Sequence, residues 1–106
     1  MALKELSATD VSKMAIVVTA PISTLLDAHA GAPPKLRGDE HIRTDVTVFF
    51  RNTGEKIKLH FYGAEREGAG RAPEERCWAK EFGSVAEAGM TFELVYVGGR
   101  FELEIR

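Results

Sequence analysis

"RTDVTVFFRNTGEKIKLHFYG" (residues 43–63) decides how this chain folds. From Asp45 to Arg51 and again from Lys56 to Tyr62, apolar and polar residues alternate. Successive side chains of a strand point to opposite faces, so Ile57, Leu59 and Phe61 share one face and Lys56, Lys58 and His60 the other. Between the runs lies Asn52-Thr53-Gly54-Glu55, whose asparagine and glycine tolerate the left-handed backbone of a tight loop. The reading is an antiparallel hairpin with one apolar face, and His60 stands on the face turned away from the core.

Working outward, "MTFELVYVGGRFELEIR" (90–106) repeats the pattern. Phe92, Leu94 and Tyr96 lie on one face and Phe101, Leu103 and Ile105 on one face of the partner strand. The Gly98-Gly99 pair supplies a two-residue turn. "MAIVVTA" (14–20) is rich in β-branched residues and predicts a buried strand, ended by Pro21, which cannot donate to a sheet ladder. Ile22, Leu25, Leu26 and His29 fall at helical spacings, which predicts one short helix near residues 21–30, with Gly31 as its stop. "RCWAKEFGS" (76–84) predicts a short strand carrying Cys77 or Trp78 inward. Glycine and proline mark 31–41 and 63–76 as loops. The expectation is one domain over 1–106, mostly β, an antiparallel sandwich or small barrel in which the hairpins pack face to face.

Composition narrows the function. The 106 residues are 44% hydrophobic and 28% charged, as in ordinary globular chains. Fourteen basic against sixteen acidic residues give a net charge of −2, with no block of one sign. That balance argues against nucleic acid and against an anionic membrane surface as partners. The longest apolar run, Met14–Ile22, is too short to span a bilayer and contains Pro21. No apolar signal segment opens the sequence and Cys77 is the only cysteine, so a reducing, cytoplasmic location is the expectation, leaderless export being compatible with the same features.

No arrangement of residues announces catalysis. A nucleophile needs a base and an orienting acid, and no local signature ties Cys77 to His29, His41 or His60. One cysteine and three scattered histidines match no zinc spacing, and the glycines of "EGAGRAP" (67–73) lack the Lys-Ser or Lys-Thr of a phosphate loop. The chain is therefore expected to be no enzyme and to need neither cofactor nor metal. Lys58, His60 and Tyr62 share a polar sheet face, and "EER" (74–76) and Trp78 follow within twenty residues. Such side chains suit a sugar: charged and planar groups meet hydroxyls in fixed directions, and an aromatic ring covers the C–H face of a pyranose. Core packing for Trp78 and a plain solvated position for His60 are the simpler alternatives.

"VTVFFRNTGEKIKLHF" (46–61) resembles the galectin hairpin that ends in the Leu-His-Phe of the sugar-binding strand. "EERCWAKEFGSVAEAGMTFEL" (74–94) is similar to the stretch in which that family's Glu-Glu-Arg precedes further strands, and "GGRFELEI" (98–105) to its next strand. The resemblance spans roughly residues 45–106. It implies a jelly-roll-like sandwich that binds β-galactosides without metal in a concave groove, with His60, Glu74 and Arg76 in the ligand site. Where the family carries Asn-Pro-Arg after the histidine strand, this chain has Tyr62-Gly63-Ala64, with Arg66 further on. Trp78 follows the Glu-Glu-Arg triplet, where the family's tryptophan precedes it. The leading expectation is a lectin-like carbohydrate-binding module using His60, Glu74, Arg76, Arg66 and Lys58. The alternative is a protein-binding module (an inhibitor, immunity or assembly factor, a homodimer among its forms) acting through an edge strand at 100–106 or the 63–76 loop.

Overall fold

Seven strands form a single sheet in the order β1-β6-β7-β3-β4-β5-β2, curled into a half-barrel. The computed structural model describes residues 2–29, 45–64 and 74–106, with the side chains of 62–64 and 74 left aside. The elements are β1 (Ala2–Glu5), α1 (Ala8–Ser12), β2 (Ile16–Val17), α2 (Ala20–His29), β3 (Val46–Phe50), β4 (Glu55–Ala64), β5 (Glu74–Trp78), a 3-10 turn (Lys80–Ser84), β6 (Thr91–Val97) and β7 (Arg100–Ile105).

Within the 43–63 stretch β3 and β4 form the expected hairpin. Val46, Val48 and Phe50 of β3 and Ile57, Leu59 and Phe61 of β4 are buried on one face. The loop closes by Thr53 and Gly54 N–H groups donating to the Phe50 carbonyl, with Gly54 at φ 74°. Asn52 has no left-handed backbone; its side chain does a different job. The amide donates to the Ile105 carbonyl at 2.8 Å and accepts from the Ile105 N–H at 2.9 Å, so it stands in for a strand peptide beside β7. The β6–β7 hairpin turns on Gly98 and Gly99, both at positive φ, between the paired Val97 and Arg100.

The arrangement of the hairpins corrects the sandwich expectation. They do not stack; they lie side by side in one sheet, joined by β3 pairing with β7 over Val48–Phe50 and Phe101–Leu103. That pairing is parallel, so the sheet is mixed rather than antiparallel. Their apolar faces therefore form one surface, and something else must cover it. Ile22 and Leu26 of α2 and Phe82 of the 3-10 turn are fully buried and do so. Phe82 meets Phe50 and Phe92 with ring centroids 5.5 and 6.3 Å apart. A helix near 21–30 was expected and α2 fills it. The predicted 14–20 strand shrinks to two paired residues, because Asp10 and the turn at Met14 hold its start.

The expected binding edge at 100–106 is also corrected. β7 lies between β6 and β3, with its backbone paired on both sides, and the sheet's edges are β1 and β2. Of the 63–76 loop, residues 63–64 and 74–76 belong to β4 and β5, and the remainder lies outside the described residues.

At the N-terminal corner Ser7 caps α1, accepting from the Asp10 N–H while Asp10 accepts from the Ser7 N–H. The Asp10 carboxylate also pairs with Lys4 of β1 and accepts from the Val17 N–H of β2. Among the described residues no helix is long and apolar enough to cross a membrane.

Candidate functional site

The face of the sheet away from the helices is polar, and strand pairing places its side chains in rows. Asp45 precedes β3 and stands beside His60. In the ladder Thr47 is opposite Lys58 and Phe49 opposite Lys56. Across the other side of β4, His60 is opposite Trp78 and Tyr62 opposite Arg76. Opposite residues of a ladder share a face, so Lys58, His60, Arg76 and Trp78 occupy one surface. The Glu74 position, opposite Ala64, continues the same row; its side chain and Arg66 lie outside the described residues.

The row is not a single point. Residues two apart on a strand are about 7 Å apart, so Lys58, His60 and the Tyr62–Arg76 pair are successive stations rather than a ring of ligands. The buried chains and both helices lie inside the curl, so this row is on its outer side and not in the concave groove that the galectin resemblance implies. Its best-defined member is His60. The imidazole is 56% exposed, and its Nδ1 lies 2.8 Å from Asp45 Oδ2. With Nδ1 engaged, Nε2 is the nitrogen left to an incoming group. Trp78 is half-buried, its ring edge-on to Phe82 at 5.3 Å, which braces the indole. Sequence parity had left Trp78 between inward and outward. The ladder puts Cys77 inward, fully buried, and pairs Trp78 with His60, while the half-buried indole also packs against Phe82 and the margin of the core.

Farther along the same face, a network of ion pairs covers β6 and β7. Arg106 donates to both oxygens of Glu93, at 2.7 and 3.3 Å, and Arg51 and Arg100 share Glu102 at 2.9 and 3.0 Å. The Arg106 hydrogen bond holds the Glu93 carboxyl below the usual range. Those from Arg51 and then Arg100 do the same for Glu102. Lys56 and Lys58 have no carboxylate partner among the described residues.

The second feature is a cleft of about 330 Å³ that the sequence did not announce. It opens where the parallel pairing stops. β3 continues back from Val48 to Val46 alongside β4, whereas β7 bends away at Arg100 into the Gly98-Gly99 turn. The gap is walled by Tyr96, on which the His29 ring at the end of α2 stacks at 3.8 Å with the planes 9° apart. Phe101 meets both rings edge-on. On the outer side the lining is Thr47, Phe49, Lys56 and Arg100. The Arg100 guanidinium sits 4.4 Å above the Phe49 ring. Among the described residues no carboxylate is part of this lining. The signal available in sequence was the helical spacing that ends on His29 and the alternation that aligns Tyr96 with Phe101; what joins them is the split between two strands fifty residues apart.

Among the described residues no three His, Cys, Asp or Glu side chains gather as a metal site. Comparison of this chain with protein families, with curated proteins and with solved structures finds no match, so the galectin resemblance rests on the quoted motifs alone.

Proposed function

We propose that this chain is a non-enzymatic, lectin-like carbohydrate-binding module whose sugar site is the outer face of β4 and β5. The observation that carries the reading is the His60–Trp78 pair, with the imidazole fixed at 2.8 Å by Asp45. The half-buried indole, held edge-on by Phe82 at the margin of the core, offers the part of its ring left in solvent to a pyranose. Nε2 of His60 and the outward Asp45 oxygen offer directed partners to its hydroxyls, and Lys58 and Arg76 extend the row on either side.

Trp78 is the chain's only tryptophan, so its fluorescence reports this site without interference. A glycan array followed by fluorescence titration of the hits is the test. Expected is a saturable change in Trp78 emission, weakened at least tenfold in His60→Ala and in Trp78→Phe, the latter chosen to keep the contact with Phe82. An array with no hit, or titrations that His60→Ala leaves unchanged, would overturn the proposal.

A further inference from the structure

We infer that the cleft between β3 and β7 is a second subsite, selective for a carboxylate-bearing sugar ring, and that the module's ligand is an acidic oligosaccharide lying along β3–β4 from this cleft to His60. The inference rests on the carbohydrate reading above and adds the chemical class and direction of the ligand.

Three observations carry it. The first is charge. Lys56 and Arg100 line the cleft, and among the described residues no carboxylate does and Lys56 has no ion-pair partner. Arg100 divides Glu102 with Arg51, and only its Nε is engaged there, at 3.0 Å; its terminal nitrogens are the pair suited to a forked carboxylate. The second is shape. The Tyr96 ring, backed by His29 at 3.8 Å, and the Phe49 ring under Arg100 give the cleft flat apolar walls. At about 330 Å³ it lies at the small end of ligand sites, sized for a ring or two rather than a globular partner. The third is continuity. Lys56 in the cleft, Lys58 and His60 are alternate residues on one strand and point to one face, so the outer lip of the cleft runs on into the platform, with Tyr96, His29 and Phe101 forming its inner wall. Lys56 and His60 are four residues apart, roughly 13 Å, a span that needs a short chain of rings.

Asp45 and Glu102 interleave with the cations on this track, and the whole chain carries −2. A polyphosphate backbone would meet repulsion at those points, whereas sugar hydroxyls find acceptors there. That favours an acidic glycan over a single-stranded nucleic acid.

The experiment titrates the intact chain with galacturonic acid, with oligogalacturonides of two to six units, with their methyl esters (the same rings without charge) and with an eight-residue oligothymidylate. Amide chemical shifts report the cleft and Trp78 emission reports the platform. Expected is that the monomer shifts the Thr47 and Tyr96 amides and leaves Trp78 silent. Oligomers of four or more units should move both signals and bind at least tenfold tighter than the monomer. The esters should bind at least tenfold more weakly, and Arg100→Gln and Lys56→Gln should each weaken the acidic oligomer severalfold with the thermal midpoint unchanged. Esters binding as tightly as acids, unchanged affinity in both variants, tighter binding of the oligothymidylate, or no binding of any probe would overturn the inference. The two proposals fail separately. A Trp78 response to neutral sugars with a silent cleft keeps the platform and removes the cleft. A cleft that takes the uronate while His60→Ala changes nothing supports the acidic subsite and removes the platform.

Discussion

Asp10 is the single residue whose removal should damage the fold most for its size. Its side chain is 3% exposed, and it pairs with Lys4, itself 14% exposed. It accepts in addition from the Ser7 N–H at 2.9 Å and the Val17 N–H at 3.3 Å, so one carboxylate ties β1, the start of α1 and β2 together. Breaking a buried ion pair from one side costs about 3–5 kcal/mol, because the remaining charge is stranded in a poorly solvated place. Lys4 keeps some access to water, so Asp10→Asn, which retains part of the hydrogen bonding, should cost about 2–3 kcal/mol by that principle. At roughly 4–8 °C per kcal/mol for a domain near this size, the thermal midpoint should fall by roughly ten to twenty degrees. The assay is urea unfolding of both proteins, with the slope unchanged and the midpoint lowered. Acid adds a second arm. Burial pushes the Asp10 carboxyl upward, but the hydrogen bonds from Lys4 and Ser7 and the Lys4 charge outweigh it. The group titrates below its ordinary value of 3.8. A carboxyl depressed in the folded state contributes stability above its unfolded value and loses it as pH falls through the folded one. The stability difference between wild type and Asp10→Asn should therefore be constant near neutrality and shrink below about pH 4. Taking the difference cancels the parallel contributions of Glu93 and Glu102. A cost under about 0.5 kcal/mol, the level of an ordinary surface substitution, or a difference that does not change down to pH 2, would refute the account.

Asn52→Ala removes both hydrogen bonds to Ile105 and leaves that residue's N–H and C=O without their partner; the expected loss is about 1–3 kcal/mol in urea unfolding, and a loss near zero would mean water replaces the amide. Met14, at φ 52° and 60% exposed, sits in the left-handed position that ends α1 and packs against little. Met14→Gly should raise stability by about 0.5–1 kcal/mol, the strain relieved less glycine's extra freedom when unfolded, and a lowered melting midpoint would show that the Met14 side chain contributes contacts worth more than the strain.

The parts legible in the sequence are those set by neighbours along the chain. Alternation over 45–62 and 91–105 gave both hairpins and the inward face of Ile57, Leu59, Phe61, Phe92, Leu94, Phe101, Leu103 and Ile105, because burial of one side enforces a period of two. Local spacing likewise gave a helix near 21–30, which α2 matches; its expected stop at Gly31 lies outside the described residues. It was the partner of each hairpin that could not be read. An apolar face asks only to be covered, and residues 45–62 contain nothing that prefers a stacked sheet to a helix and Phe82. The choice was made at the outer edge of β3, where Asn52 and the parallel pairing fasten β7 in the same plane. Asn52 shows why this escaped notice: asparagine before glycine is a turn signal, and its amide serving as a mimic of a strand peptide leaves no mark in the pattern. The candidate site divides along the same line. His60 and Lys58 fell on one face because parity is local, whereas Arg76, drawn in by the galectin resemblance, joins them only through the register of β4 with β5. The cleft was invisible because it is made by two strands parting, and His29, which reads as the last turn of a short helix, acquires meaning only where Tyr96 meets it at 3.8 Å. A parallel pair that stops short leaves an opening on the solvent side of a sheet otherwise closed by its own hydrogen bonds. In this chain Lys56 joins the outer lip of that opening to the strand face of Lys58 and His60, while Tyr96, His29 and Phe101 line it from the helix side of the sheet.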